Sequence, residues 1–228
     1  MSFEPVADAR PHDRQWPTLA WPLEPQVQLR GRVVELTLFE AARDGEELFA
    51  ALDADSAWAH VAGRPRDAAT YSETLTNAAG QGRFPWVLRL VSPLAGLAPG
   101  TVIGTSSYLD VSVVDARLEI GSTAYDRRVW GTAVNPEAKL LLLSHAFDAL
   151  GAGRVQLKTD VRNQRSQRAI ARLGARYEAT LRRYQRRSDD TVRDTVLFSI
   201  LAEEWPAVRA GLEARLAQLS APAGPPSA

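Results

Sequence analysis

Residues 128–135, RVWGTAVN, constrain the fold most tightly, because they must turn an extended segment into a helix within a few residues. The alternating RLEIGSTAY before them reads as a strand over 117–125. The leucine-rich stretch after them reads as a helix over 136–150, with Ala138, Leu141, Leu142, Ala146, Phe147 and Leu150 on its apolar face and Gly151 at its stop. A helix start leaves amides unpaired and carries partial positive charge, so a turn of this kind suits an anion such as a pyrophosphate. Gly131 lets the backbone come close to a ligand, and Thr132 and Ala133 add little bulk beside it. Asn135 is placed to cap the helix and Pro136 suits its first turn. The same residues also describe an ordinary strand-to-helix turn, so the binding reading needs support from other segments.

Elsewhere the pattern is that of one α/β domain with tails. Residues 1–26 hold Pro5, Pro11, Pro17, Pro22 and Pro25, which exclude a regular element, and Trp16 and Trp21 are expected to pack on the domain. A first strand is predicted over 27–38 and helices over 40–52 and 67–79, with an unassigned loop between the helices. Strands follow over 84–91 and 101–109, and after the central helix over 154–159, 176–186 and 192–201. Asn163 is the expected cap of a helix ending at Gly174. A domain over 27–202 is therefore expected, then an amphipathic helix over 203–219 carrying Trp205, Val208, Leu212, Leu216 and Leu219, and a disordered tail over 220–228. That helix needs a surface to pack on, either in its own subunit or across a homodimer.

Charge and composition exclude several classes of function. The 27 basic and 27 acidic residues cancel, so no overall field draws the chain to nucleic acid or an anionic membrane. The absence of Cys removes disulfides, thiolate metal sites and a cysteine nucleophile, which favours direct group transfer. No apolar run is long enough to span a bilayer, and the N-terminal residues lack the apolar core of a secretory signal, so the expected location is cytoplasmic. His12 and His60 lack ligand-like spacing and His145 lies within the leucine-rich helix, so no metal site is expected.

Three stretches together resemble the GNAT superfamily of acyl-CoA-dependent N-acyltransferases, in its RimJ/RimL-like branch. RVWGTA at 128–133 is similar to the family's Arg/Gln-x-x-Gly-x-Gly/Ala loop, PEAKLLLLSHAFDALG to the helix after it, and NQRSQRAIARLGA with EATLRRY to the Asn-x-x-Ser helix and the strand beyond. The similarity covers roughly 27–205, and the order and spacing of the three segments carry more weight than any one of them. The resemblance implies a mixed, strongly bent sheet flanked by helices, with two central strands splayed apart around acetyl-CoA as co-substrate. It also implies that Arg128, Val129, Gly131, Thr132 and Ala133 hold the pyrophosphate, mostly through backbone, and that Asn163 contacts the pantetheine arm or orders its own turn.

An amine attacks a thioester only when neutral, so a proton acceptor is needed. Glu119, in the strand before the loop, resembles the carboxylate that several members of the family use; the other reading is a structural pair with Arg117. Many members use a Tyr to protonate the leaving sulfur, but here Ile170 stands at that place and Ser166 is the candidate donor, unless it serves only as a helix-capping residue. Arg162, Arg165, Arg168 and Arg172, with Arg182, Arg183, Arg186 and Arg187, form a basic cluster suited to the coenzyme's 3′-phosphate, to an acidic substrate, or to ion pairing on a solvated surface. The expected activity is acetyl transfer to a primary amine, either a protein N-terminus or a small molecule. The alternative is a non-catalytic acyl-CoA sensor or scaffold.

Overall fold

The computed structural model describes residues 4–8, 15–61 and 63–220. Its centre is an eight-stranded sheet: β1 (Gln28–Arg30), β2 (Val34–Leu38), β3 (Phe84–Leu90), β4 (Val102–Ser112), β5 (Arg117–Tyr125), β6 (Arg154–Asp160), β7 (Arg176–Arg186) and β8 (Val192–Leu201). The spatial order is β1-β2-β3-β4-β5-β6-β8-β7. Every pairing is antiparallel except β5 with β6, which is parallel and is linked by the crossover that contains the leucine-rich helix. Pro11, His12 and the tail expected beyond residue 220 lie outside the described residues.

Helices cover both faces. α1 (Ala41–Leu52), the single turn α2 (Asp55–Trp58) and α3 (Ala68–Thr76) lie on one side, where Leu48, Leu52, Tyr71 and Leu75 pack on Val87, Val102 and Ala124. α4 (Val134–Ser144) and α6 (Trp205–Ser220) lie on the other, over Leu118, Ile120, Val155 and Ile200. α5 (Gln164–Ala171) follows β6, and the Asn163 side chain caps it by accepting from the Ser166 amide at 3.0 Å, as the sequence predicts. α6 buries Trp205, Val208 and Leu212 within its own chain; Trp205 stacks on Phe147 at 5.4 Å and donates to Asp148 Oδ1 at 2.9 Å. Trp21 meets Phe84 edge to face at 4.8 Å, whereas Trp16 stays 62% exposed and only its indole NH is held, by the Val114 carbonyl.

Three local expectations are corrected. The single strand predicted over 27–38 is two strands, β1 and β2, folded on each other across residues 31–33. The cause is a buried carboxylate more than a hundred residues away: Glu137 Oε1 accepts from the Arg32 amide at 2.9 Å, and Oε2 from the Val33 and Val34 amides, both at 2.7 Å. A Cβ on Gly31 would stand 2.5 Å from the Glu137 carboxyl carbon, so the turn needs a glycine. The second correction concerns the start of the central helix. It begins at Val134, so Asn135 lies inside it, and the side-chain oxygen that meets its first amide belongs to Thr132, 3.3 Å from the Val134 nitrogen. The same helix changes to a π-helical turn over His145–Ala149 before it stops. The third correction is α2, which occupies part of the loop left unassigned between the first helices.

Removing the Glu137 clamp leaves three backbone amides without their charged acceptor. Hydrogen bonds to a charged group contribute about 1.5–3 kcal/mol each net of water and are not additive at one carboxylate, so Glu137→Ala is expected to cost about 3 kcal/mol. Thermal denaturation followed by circular dichroism should then show Tm about 6–12 °C lower. Gly31→Ala should move in the same direction.

Candidate active site

The parallel ladder between β5 and β6 holds for three pairs, Arg117 with Arg154, Leu118 with Val155 and Glu119 with Gln156, and then ends. Beyond Glu119 the two strands separate. On its other edge β5 carries a bulge: its register against β4 jumps from Gly121 opposite Ser107 to Ala124 opposite Thr105, and Ser122 adopts φ 46°. The separated strands, the start of α4 and one side of α5 enclose a cavity of about 770 Å³, which the α2 region borders with Ser56, Ala57 and His60.

The predicted loop forms one end of this cavity. Asp126 accepts from the Arg128 amide at 2.8 Å and starts a 3-10 turn, Arg127–Val129, after which Gly131 adopts φ 77°. Val129, Trp130, Gly131, Thr132 and Asn135 line the cavity. Among the described residues, the amides of Gly131, Ala133 and Asn135 donate to no acceptor, and a Cβ at Gly131 would meet nothing within 4 Å. Three unspent donors at a helix start, with open space before them, fit an anionic diphosphate. Ala133 is not among the residues that line the cavity, so its backbone amide is all that it can offer there. The Arg128 guanidinium is turned away onto Asp126 at 2.6 Å, and that pair holds the Asp126 carboxyl below its usual value against the opposing effect of burial.

Asn163, Ser166 and Ile170 line the same cavity from α5 and the residue before it. The Ser166 hydroxyl makes no hydrogen bond among the described residues, so its amide serves the cap while its Oγ stays available. Of the basic cluster, Arg165, Arg172 and Arg186 reach the cavity; Arg187 is committed to Asp160 at 2.6 Å. Arg165 lies over the Trp130 ring, its guanidinium carbon 3.6 Å from the ring centre, which fastens the loop to α5.

Glu119 sits where the ladder ends, 8% exposed and bordering the cavity. Its partner is Lys158, at 2.8 Å; Arg117 pairs with Asp115 instead, at 3.4 Å. Lys158 Nζ also meets Asp110 Oδ2 at 2.8 Å and the Tyr184 hydroxyl at 3.2 Å. Burial raises the Glu119 pKa and Lys158 offsets only part of that rise, so the carboxylate is a better proton acceptor than an exposed one. Burial alone would lower Lys158, yet its two carboxylate partners hold it above its ordinary value and keep it charged.

Lys139 is the site residue that sequence reasoning misses. It lies on α4, 5% exposed, and borders the cavity with Nζ on Ser106 Oγ at 3.0 Å and Thr123 Oγ1 at 2.8 Å. The available signal is a lone Lys at helical spacing from Leu142 and Leu143, on the inward stripe of a leucine-rich helix. Burial lowers its pKa to about 7. His145, stacked on Tyr108 with Nδ1 3.2 Å from the Tyr hydroxyl, lies outside the cavity lining and holds the core together.

Residues 34–176 match the family model described as "Acetyltransferase (GNAT) domain". The chain belongs to the GNAT acetyltransferases. An acetyltransferase structure from T. thermophilus is 36% identical, with a TM-score of 0.73 over 86% of this chain and 100% of that one. A GCN5-related N-acetyltransferase from Brucella melitensis is 26% identical, with a TM-score of 0.79 over 88% of this chain and 89% of its own. A ribosomal-protein-S5-alanine acetyltransferase from Vibrio fischeri, at 16% identity and a TM-score of 0.64 over 79% of this chain and 99% of its own, shares the fold. A search of curated proteins gives no match. The chain is thus an acyltransferase of a family that uses acetyl-CoA as co-substrate, built on the splayed sheet that the resemblance implied. Among the described residues no helix is long and apolar enough to cross a membrane.

The buried Lys139 amine also has a consequence for stability. Its pKa falls from 10.5 to about 7 on folding, so between these values the unfolded chain binds more protons and stability rises with pH; below about 7 the full penalty applies. Lys139→Met should therefore raise Tm at pH 7 and flatten its rise between about pH 7 and pH 10, in thermal melts across that range.

Proposed function

We propose that the chain transfers an acetyl group from acetyl-CoA to a primary amine within a ternary complex, with Glu119 as the proton acceptor. The observation that carries this reading is the position of Glu119, a carboxylate made more basic by burial, at the point where β5 leaves β6 and in one cavity with the unspent amides of the 128–135 loop. The coenzyme supplies an acyl group activated as a thioester. Everything else falls to the residues of the chain.

Gly131, Ala133 and Asn135 offer backbone donors to the pyrophosphate, and Arg165 and Arg172 place positive charge beside it. Asn163, Ser166 and Ile170 line the path of the pantetheine arm, with Ser166 Oγ a donor toward the sulfur. Past Glu119 the β6-facing edge of β5 has no strand to pair with, so its amides are free to polarise the thioester oxygen. The acceptor enters as an ammonium, drawn by Glu119 and Asp110, which share the cation Lys158. Glu119 takes its proton and frees the nitrogen lone pair. The acceptor class is a protein N-terminus or a small-molecule amine; the RimJ/RimL likeness favours the first.

Isothermal titration with acetyl-CoA tests the binding half of this reading. Wild type should bind and Gly131→Trp, which fills the open space at the loop, should not; a folded wild type that binds no acetyl-CoA would refute the assignment. For the chemical half, Glu119→Gln should keep the acetyl-CoA Kd within about threefold and lower thiol release with an amine acceptor by about 100-fold or more.

A further inference from the structure

The cavity has a base, Glu119, on one face of β5, and on α5 it has Ile170 where many members of the family carry a tyrosine that protonates the leaving sulfur. We propose that Lys139 is that proton donor, reaching the thioester sulfur from the α4 side of β5 while Glu119 works from the opposite face. The proposal rests on the acetyl-transfer reading above and names a reacting group that reading leaves out.

Several independent observations place Lys139 in this role. It is buried yet borders the cavity; no carboxylate lies within ion-pairing distance among the described residues, and Glu119 acts on it only at longer range, raising its pKa against the larger lowering by burial. An ammonium carries three N–H donors. Two go to Ser106 Oγ and Thr123 Oγ1, which also bond each other at 2.8 Å, and the third has no acceptor among the described residues. Thr123 stands at the β5 bulge, shortly beyond the point where β5 and β6 part. The two hydroxyls thereby fix the amine beside the gap instead of letting the stem fold back into the core.

The surroundings leave few other candidates. Tyr125 borders the cavity with its hydroxyl unpartnered among the described residues, but burial raises both Tyr125 and Tyr108, so each holds its proton more tightly than a thiol does, and the Tyr108 hydroxyl is already spent on the Leu142 carbonyl at 2.7 Å. Lys158 is held charged by its carboxylates, and Asp160 is lowered to about 2, chiefly by Arg187. Arg165 stays a guanidinium on the Trp130 ring, and burial lowers His145 behind the sheet. A thiol titrates near about 8.5, so an ammonium of about 7 gives up its proton to a thiolate downhill.

The protons balance. The entering ammonium loses one proton to Glu119, which passes it to solvent, and a second to Glu119 as the C–N bond forms. As the C–S bond breaks, its electron pair goes to sulfur, and Lys139 gives sulfur a proton. The proton left on Glu119 then recharges Lys139. One amide, one free thiol and one net proton result.

The test pairs kinetics with a direct view of the amine. In wild type, kcat should show a descending limb near pH 7 as the Lys139 ammonium is lost. Lys139→Met should lower kcat at about pH 6.5 by about 100-fold and abolish that limb, with the acetyl-CoA Kd within about threefold of wild type. Lys139→Arg, whose guanidinium keeps its proton, should retain the positive charge yet stay slow and show no limb near pH 7. In wild type labelled with ¹³C at lysine Cε, the Lys139 resonance should change its titration midpoint when CoA binds, and not when desulfo-CoA binds. Equal responses to CoA and desulfo-CoA, or a limb unchanged in Lys139→Met, would overturn the proposal. If wild type binds acetyl-CoA and transfers the acetyl group while Lys139 gives these negative results, only the assignment of Lys139 fails; a wild type that binds no acetyl-CoA removes the acetyl-transfer reading with it.

Discussion

A parallel sheet would normally continue its hydrogen bonds along both strands, and in this chain β5 and β6 give them up after Glu119 and Gln156. Backbone groups left unpaired in an interior are costly unless something else satisfies them. The bulge at Ser122 shifts the register of β5 against β4 just beyond the point where its pairing with β6 ends. The resulting gap is walled by low-dielectric core on one side and open to a cavity on the other. That setting makes a carboxylate and an amine behave unlike their exposed counterparts, since desolvation is the largest influence on both Glu119 and Lys139.

α4 concentrates several tasks in its first turns. Its start faces the cavity with open amides, Glu137 grips the turn between β1 and β2, and Lys139 reaches the β4–β5 hydroxyls. These positions lie within about one and a half turns, so they project in different directions from one rigid rod. A shift of the helix by one residue would misplace all of them. Trp130, stacked under Arg165, ties the loop before α4 to α5 on the far wall, so the two sides of that end of the cavity are held together.

The sequence is most legible where local rules decide. The strand over 117–125 follows from alternation, those over 176–186 and 192–201 from the polar turn between them, and Asn163 announces its helix because capping is a contact between near neighbours. What stays hidden depends on partners distant in the chain. The break between β1 and β2 is set by Glu137, and Arg117 looks like the natural partner of Glu119 because it lies two residues away, whereas Lys158 arrives from the neighbouring strand. Asn135 suits a cap by its residue type, but a threonine hydroxyl two residues before the helix start meets the first amide instead. Lys139 escapes notice because a lysine in a leucine-rich helix usually points to water.

The family match ends at residue 176, but the packing does not. β8 pairs with β6 along its whole length, β7 closes the sheet on β8, and α6 lays Trp205 against Phe147 of the segment that follows α4. A fragment cut at that boundary would leave the seven residues of β6, with Val155 and Leu157 among them, with a bare row of amides and carbonyls on one side. Such an edge invites strands from other molecules. The catalytic half and the terminal half are thus one unit of solubility as well as of folding.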